Sequence, residues 1–142
     1  MITNDLATNG PNGPNAERSK TGFVVFAHGS TVESANQAVR AVVADMARAG
    51  SFELTETAFL EGGKPGLLTA IESLMERGAG RICVVPYFLT TGMHLKRDLP
   101  ALIDECRSKH PSLEVVVSGP LDGHPALARI LLDRANAALQ MS

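Results

Sequence analysis

Four short apolar runs alternate with four helix-patterned segments along this chain, and that alternation constrains the fold more than any other feature. The first run, FVVFA at 23–27, is continuous, as in a strand buried on both faces. Ala35, Ala38, Val39, Val42, Val43 and Met46 then recur at helical spacing, and Gly50 closes that helix. FELTETAFL at 52–60 reads as the second strand. Pro65 opens the second helix, whose apolar stripe is Leu67, Leu68, Ile71, Leu74 and Met75, and Gly78 stops it. RICVVPY at 81–87 is the third strand, and 88–93 a loop. A third helix is predicted from near Leu95 to Lys109, bent or restarted at Pro100. The fourth strand is 113–117, and the last helix 125–140 puts Leu127, Ile130, Leu131 and Ala138 on one face. Such alternation means right-handed crossovers and a parallel sheet covered on both faces. The simplest strand order is the flavodoxin-like 2-1-3-4, with a switch point between strands one and three.

At 142 residues the chain suits one domain, read here as 21–142. Residues 1–20, rich in Asn, Gly and Pro without hydrophobic period, read as a disordered tail. A net charge of −2 gives no support to a nucleic-acid or anionic-membrane partner. No spanning segment and no secretory signal is legible, which points to the cytoplasm. Cys83 and Cys106, one in a strand and one in a helix, read as reduced, buried thiols.

His28, Glu61 and His94 stand at equal intervals of 33 residues, each beyond an apolar run. A strand, a helix and two connections take roughly thirty residues, so the spacing suggests one edge of three parallel strands. Ligand sites of open parallel sheets lie outside the carboxyl ends of the strands. Two imidazoles and a carboxylate are thereby directed to one cleft, with Glu61 beside His28. In Ala27-His28-Gly29-Ser30-Thr31, Gly29 allows a tight turn and Ser30 or Thr31 is placed to cap the first helix. The competing structural reading of each is a strand-end His bonded to backbone, or an ordinary surface Glu. His110 at a helix end and His124 before the last helix read as structural first, though His124 follows a strand and is also near the cleft. Lys64, Lys96 and Arg97 are available counter-groups for carboxylates, or simply solvated cations. There is no G-x-x-x-x-G-K-[ST], so neither ATP nor another nucleotide is implied, and no C-x-x-C.

The runs Phe26-Ala27-His28-Gly29-Ser30, Ala58-Phe59-Leu60-Glu61 and Val84 to His94, with Asp98-Leu99-Pro100, resemble the small class II tetrapyrrole chelatases, the sirohydrochlorin chelatase family of CbiX and SirB type. Gly119 and His124-Pro125 are similar to that family's last strand-to-helix passage. The resemblance spans about 22–135 and rests on three motifs that agree in identity, order and spacing. It implies a flavodoxin-like chelatase fold and ATP-independent insertion of cobalt, ferrous iron or nickel into sirohydrochlorin, for siroheme- or cobalamin-type products. The metal is a substrate there. The resemblance also implies His28 and His94 as metal-binding and catalytic residues, Glu61 as the matching acid, and a homodimer of short chains. Many members carry Arg where this chain has Thr31, which bears on how macrocycle carboxylates are held.

The inferred chemistry suits the residues on its own terms. Imidazole is a good ligand for these metals and, with a free pKa of about 6.5, is a competent base near neutrality. Gly29, Gly62 and Gly92 leave room for a broad flat ring, which Ser30, Gly29, Gly92 and Lys96 would contact. An alpha/beta-hydrolase would need a G-x-S-x-G elbow, which is missing. A phosphate-transferring histidine enzyme would want an arginine cluster. The serious rival is a carrier or sensor that uses the same histidines without insertion.

Overall fold

A computed structural model of the chain describes residues 20–90 and 92–141, apart from the side chains of Met93 and His94. The tail read at 1–20 falls outside the described residues except for Lys20. The elements run β1 (Thr21–Ala27), α1 (Glu33–Gly50), β2 (Thr55–Phe59), α2 (Leu67–Glu76), β3 (Arg81–Tyr87), α3 (Met93–Lys109), β4 (Glu114–Val117) and α4 (Ala126–Met141). All pairings are parallel and the order is β2-β1-β3-β4, as the alternation predicts.

The main core fills the face between the sheet and α2 with α3. Val24, Phe26, Ala58, Ile82, Val84 and Val115 from the strands meet Leu67, Ile71, Leu74, Leu99 and Ile103 from the helices. These strand residues alternate with Val25, Ala27 and Phe59, which are buried on the opposite face with Val43 of α1. Cys106 is buried and Cys83 half-buried, both as free thiols, and burial pushes both thiol pKa values up.

Five local departures from the sequence pattern have physical causes. Strand β2 starts at Thr55 rather than at 52, because Phe52 leaves the sheet line and stacks on Phe23 with ring centroids 3.9 Å apart. Its N–H closes α1 by donating to the Ala47 carbonyl (2.9 Å). The left-handed cap is therefore Ser51, at φ 55°, and Gly50 is the last helical residue. A Cβ on Gly50 would lie 2.7 Å from the Phe52 ring, so glycine serves packing there.

Helix α1 is also turned relative to its apolar stripe. Asn36 and Val43 face inward, while Ala35, Ala38 and Val42 face out. Helix α3 begins at Met93 and runs through Pro100 without restarting. Pro100 lies on the exposed side, where water can serve the carbonyl one turn back. Finally, α4 buries none of its residues: Ile130 (52%), Leu131 (70%) and Leu139 (74%) stand exposed. Among the described residues nothing buries the face predicted to cover the sheet.

Candidate functional site

Ala27 of β1 and Phe59 of β2 are register partners at the carboxyl ends of their strands. The ladder continues beyond them: Leu60 N–H donates to the Ala27 carbonyl and Glu61 N–H to the His28 carbonyl, each at 2.9 Å. The two loops leave the sheet in register, and His28 Nε2 comes within 3.4 Å of Glu61 Oε1. The sequence-predicted pair is thus brought together by strand register.

Close packing of the two turns depends on two glycines. Gly29 has φ +92°, and a Cβ there would fall 1.7 Å from the Glu61 carbonyl oxygen. Gly62 has φ +73°, and its Cβ would meet the Ser30 backbone at 2.9 Å. Both positions favour glycine by conformation and by space.

His28 and Glu61 are well exposed, with side-chain accessibilities of 57% and 70%. A contact so wetted contributes little to stability. Its chemistry is more informative. His28 Nδ1 lies 3.1 Å from the Gly29 carbonyl, a contact that favours hydrogen on Nδ1. In the neutral tautomer with hydrogen on Nδ1, Nε2 turns a lone pair toward a carboxylate oxygen, two acceptors face to face. A proton or a cation between them relieves that opposition. The 3.4 Å separation is near that of N and O ligands around one tetrahedral cation with bonds of about 2.1 Å.

Across the crevice, Tyr87 of β3 is the register partner of Ala27. His94 lies beyond the loop that follows this strand, and the predicted helix start near Leu95 moves back to include it. It stands in the first turn of α3, behind Gly92 as N-cap. Its backbone is at the same sheet edge as His28, and its side chain lies outside the described residues. Among the described residues no three His, Cys, Asp or Glu side chains gather where a metal ion could be held. Lys96 is exposed in the same turn, its N–H donating to the Gly92 carbonyl (3.1 Å). Arg97 pairs with Asp98 at 3.5 Å.

Ser30 does not cap α1. The helix starts at Glu33 behind Val32, which makes no side-chain cap, and Ser30 Oγ instead accepts from Val32 N–H at 3.0 Å. His110 is structural, 2.8 Å from Glu72 Oε2, and His124 accepts the Ala126 N–H at 3.0 Å ahead of α4.

Two residues that the apolar stripe concealed line this region. Asn36, 2% exposed, accepts the Ser30 N–H on Oδ1 (2.9 Å). Its Nδ2 donates to the carbonyls of Ser30 (2.8 Å) and Gly62 (3.2 Å) and to Glu33 Oε1 (3.2 Å). Arg40, one turn on, reaches the Lys64 carbonyl (3.1 Å) and Glu33 Oε2 (2.9 Å), with its guanidinium 5.1 Å from the Phe59 ring centre. Asn36, then Arg40, hold the Glu33 carboxyl below its usual range. The signal in the sequence was the i, i+4, i+7 spacing of Asn36, Arg40 and Val43.

A four-stranded doubly wound fold with an imidazole and a carboxylate at its carboxyl edge defines a class of small α/β proteins that bind ligands at a switch point. The chain belongs to the CbiX family, whose sequence model matches residues 22–138. It is similar to the sirohydrochlorin cobaltochelatase of Methanopyrus kandleri, 30% identical over 82% of this chain and 95% of that protein. The enzyme of the same name from Sulfolobus acidocaldarius is 31% identical over 84% and 94%. Among solved structures, a cobalamin (vitamin B12) biosynthesis CbiX protein from Marinobacter aquaeolei superposes with TM-score 0.75 at 25% identity, covering 86% of this chain and 99% of that one. SirB from Bacillus subtilis in complex with cobalt gives 0.65 at 33% identity, over 71% of this chain and 43% of SirB.

Proposed function

We propose that this protein is a sirohydrochlorin metal chelatase, a lyase-type enzyme that inserts cobalt or ferrous iron, with nickel a further candidate, without ATP. The observation that carries the reading is the opposed His28–Glu61 pair at the open edge of a CbiX-family fold. The names of the relatives, and the cobalt and Fe3+ complexes of SirB, support the substrate and the metals.

Insertion replaces two pyrrole N–H bonds by metal–nitrogen bonds and releases two protons. In this reading His28 and His94 deliver the metal and take protons from the ring. Glu61 orients His28 or accepts its proton. Gly29, Ser30, Gly92 and Lys96 meet the macrocycle, with Lys96 opposite its carboxylates. The cytoplasm is the compartment this reading implies. Among the described residues, no helix is long and apolar enough to cross a membrane.

The same reading includes a homodimer. Its support is α4, which among the described residues leaves Ile130, Leu131 and Leu132 exposed. Each Leu-sized side chain buries roughly 60–120 Å² at the usual transfer value. Six such side chains from a symmetric pair supply roughly 360–720 Å², the apolar centre of an interface whose remainder comes from neighbouring surface. A carrier or sensor would share the metal site and differ in turnover. Absorbance-monitored metallation of sirohydrochlorin decides: many equivalents per protein support a chelatase, and at most one supports a carrier.

A further inference from the structure

We propose that Asn36 is a positioning residue, which holds the His28 loop and the Glu61 loop at the spacing metallation requires. The proposal rests on the chelatase reading. Asn36 touches neither of the two side chains and acts through the backbones that carry them.

The geometry is that of a clasp. Oδ1 accepts from Ser30 N–H, two residues beyond His28, while Nδ2 donates to the carbonyl of Gly62, next to Glu61. One buried side chain therefore ties both turns to α1 at a single point. Nδ2 has two hydrogens for three acceptors, Ser30, Gly62 and Glu33, so it is fully engaged. Around it the space is closed: a Cβ on Gly63 would lie 2.9 Å from Nδ2.

Only an amide meets both demands. An aspartate retains the acceptor for Ser30 N–H but offers carboxylate oxygens to two carbonyls and to Glu33. A leucine of similar size retains neither bond. Helix stability alone does not call for this residue, since only its Glu33 bond stays within α1; the others run to loops, and the Gly62 partner lies 26 positions away in sequence. The turn of α1 that exposes Val42 and buries an amide follows from the same contacts.

The test compares the full chain with Asn36→Asp, Asn36→Leu and a packing control, Val43→Ala, in the same helix. Amide exchange by NMR reads the loops without reference to activity. Asn36→Leu loses protection at both Ser30 and Glu61 beyond any global change at Val24. Asn36→Asp keeps Ser30 protected and loses Glu61. Sirohydrochlorin metallation with cobalt then falls about 10–100-fold in kcat for both, with KM little changed, as for outer partners of a metal site. Val43→Ala lowers the melting temperature and leaves kcat at the wild-type value.

Wild-type exchange at both loops in the Asn36 variants overturns the clasp. Loosened loops with wild-type kcat overturn the positioning role. If Asn36→Leu does not fold, the aspartate variant decides alone. A wild type without turnover overturns the chelatase reading and the positioning role with it, whereas exchange still reports the clasp.

Discussion

His28 and Glu61 are joined twice: the Glu61 N–H donates to the His28 carbonyl at 2.9 Å, and the side chains approach to 3.4 Å. The backbone bond is the cause and the side-chain approach the consequence, because parallel register carries both loops past the sheet edge together. His28→Ala removes a candidate ligand and base, and metallation is expected to fall by at least about 10²-fold. Glu61→Gln keeps the shape and removes the charge, and a loss of about 10–100-fold is expected. Steady-state metallation with intact thermal unfolding checks both; wild-type rates in either variant remove that residue from the site.

Gly29→Ala is predicted to damage the site and the fold together. Its φ of +92° and the 1.7 Å approach to the Glu61 carbonyl leave no unstrained position for a methyl group. Strain of this kind costs about 1–3 kcal/mol before the clash is counted. The melting temperature should drop by several degrees and metallation should be largely lost. An alanine variant that melts and turns over like wild type would mean the two turns are not packed this way.

The parallel sheet, its order and the His28–Glu61 pairing were legible because continuous apolar runs, turn glycines and strand register are local or topological properties. What escaped was set by single side chains. Asn36 is polar and lies off the apolar stripe of α1, so the stripe through Ala35 and Val42 looked better than the true inward face. Phe52 extended the apparent strand because periodicity cannot tell a ring paired in the sheet from one stacked on Phe23. The helical start at Met93 was hidden because Gly92 reads as loop until its carbonyl accepts the Lys96 N–H. Helix α4 has an ordinary amphipathic pattern, and nothing in a pattern says whether the cover comes from the same chain.

Glu33 supplies a pH dependence with a definite sign. Its carboxyl is held below the ordinary value of 4.5 by Asn36 and then Arg40. A lowered folded-state pKa means that the contribution is present above the unfolded value. It is lost as pH falls through the folded one. Thermal midpoints measured from neutral pH to below 4.5 should therefore fall more steeply for wild type than for Glu33→Gln. Parallel curves would show that the contacts do not stabilise the charged form.

The His110–Glu72 contact at 2.8 Å joins α2 to the end of α3, far along the chain from the site motifs. His110→Ala should lower stability by about 1 kcal/mol or less, given the partial exposure of both groups. The metallation rate should not change. A large rate loss at constant stability would give His110 a functional role that the geometry does not.

Leu131→Glu on α4 tests the pairing of chains. Sedimentation velocity should show wild type as a dimer and the variant shifted toward monomer. A wild-type monomer at tens of micromolar would remove α4 as a dimer surface.

The central claim is catalysis at the His28 edge, and its most direct measurement is anaerobic absorbance of sirohydrochlorin with cobalt or ferrous iron, for wild type, His28→Ala and His94→Ala. The account predicts many turnovers for wild type and rates near the uncatalysed one for both variants. A wild-type rate that never exceeds the uncatalysed one with cobalt, iron or nickel would contradict it.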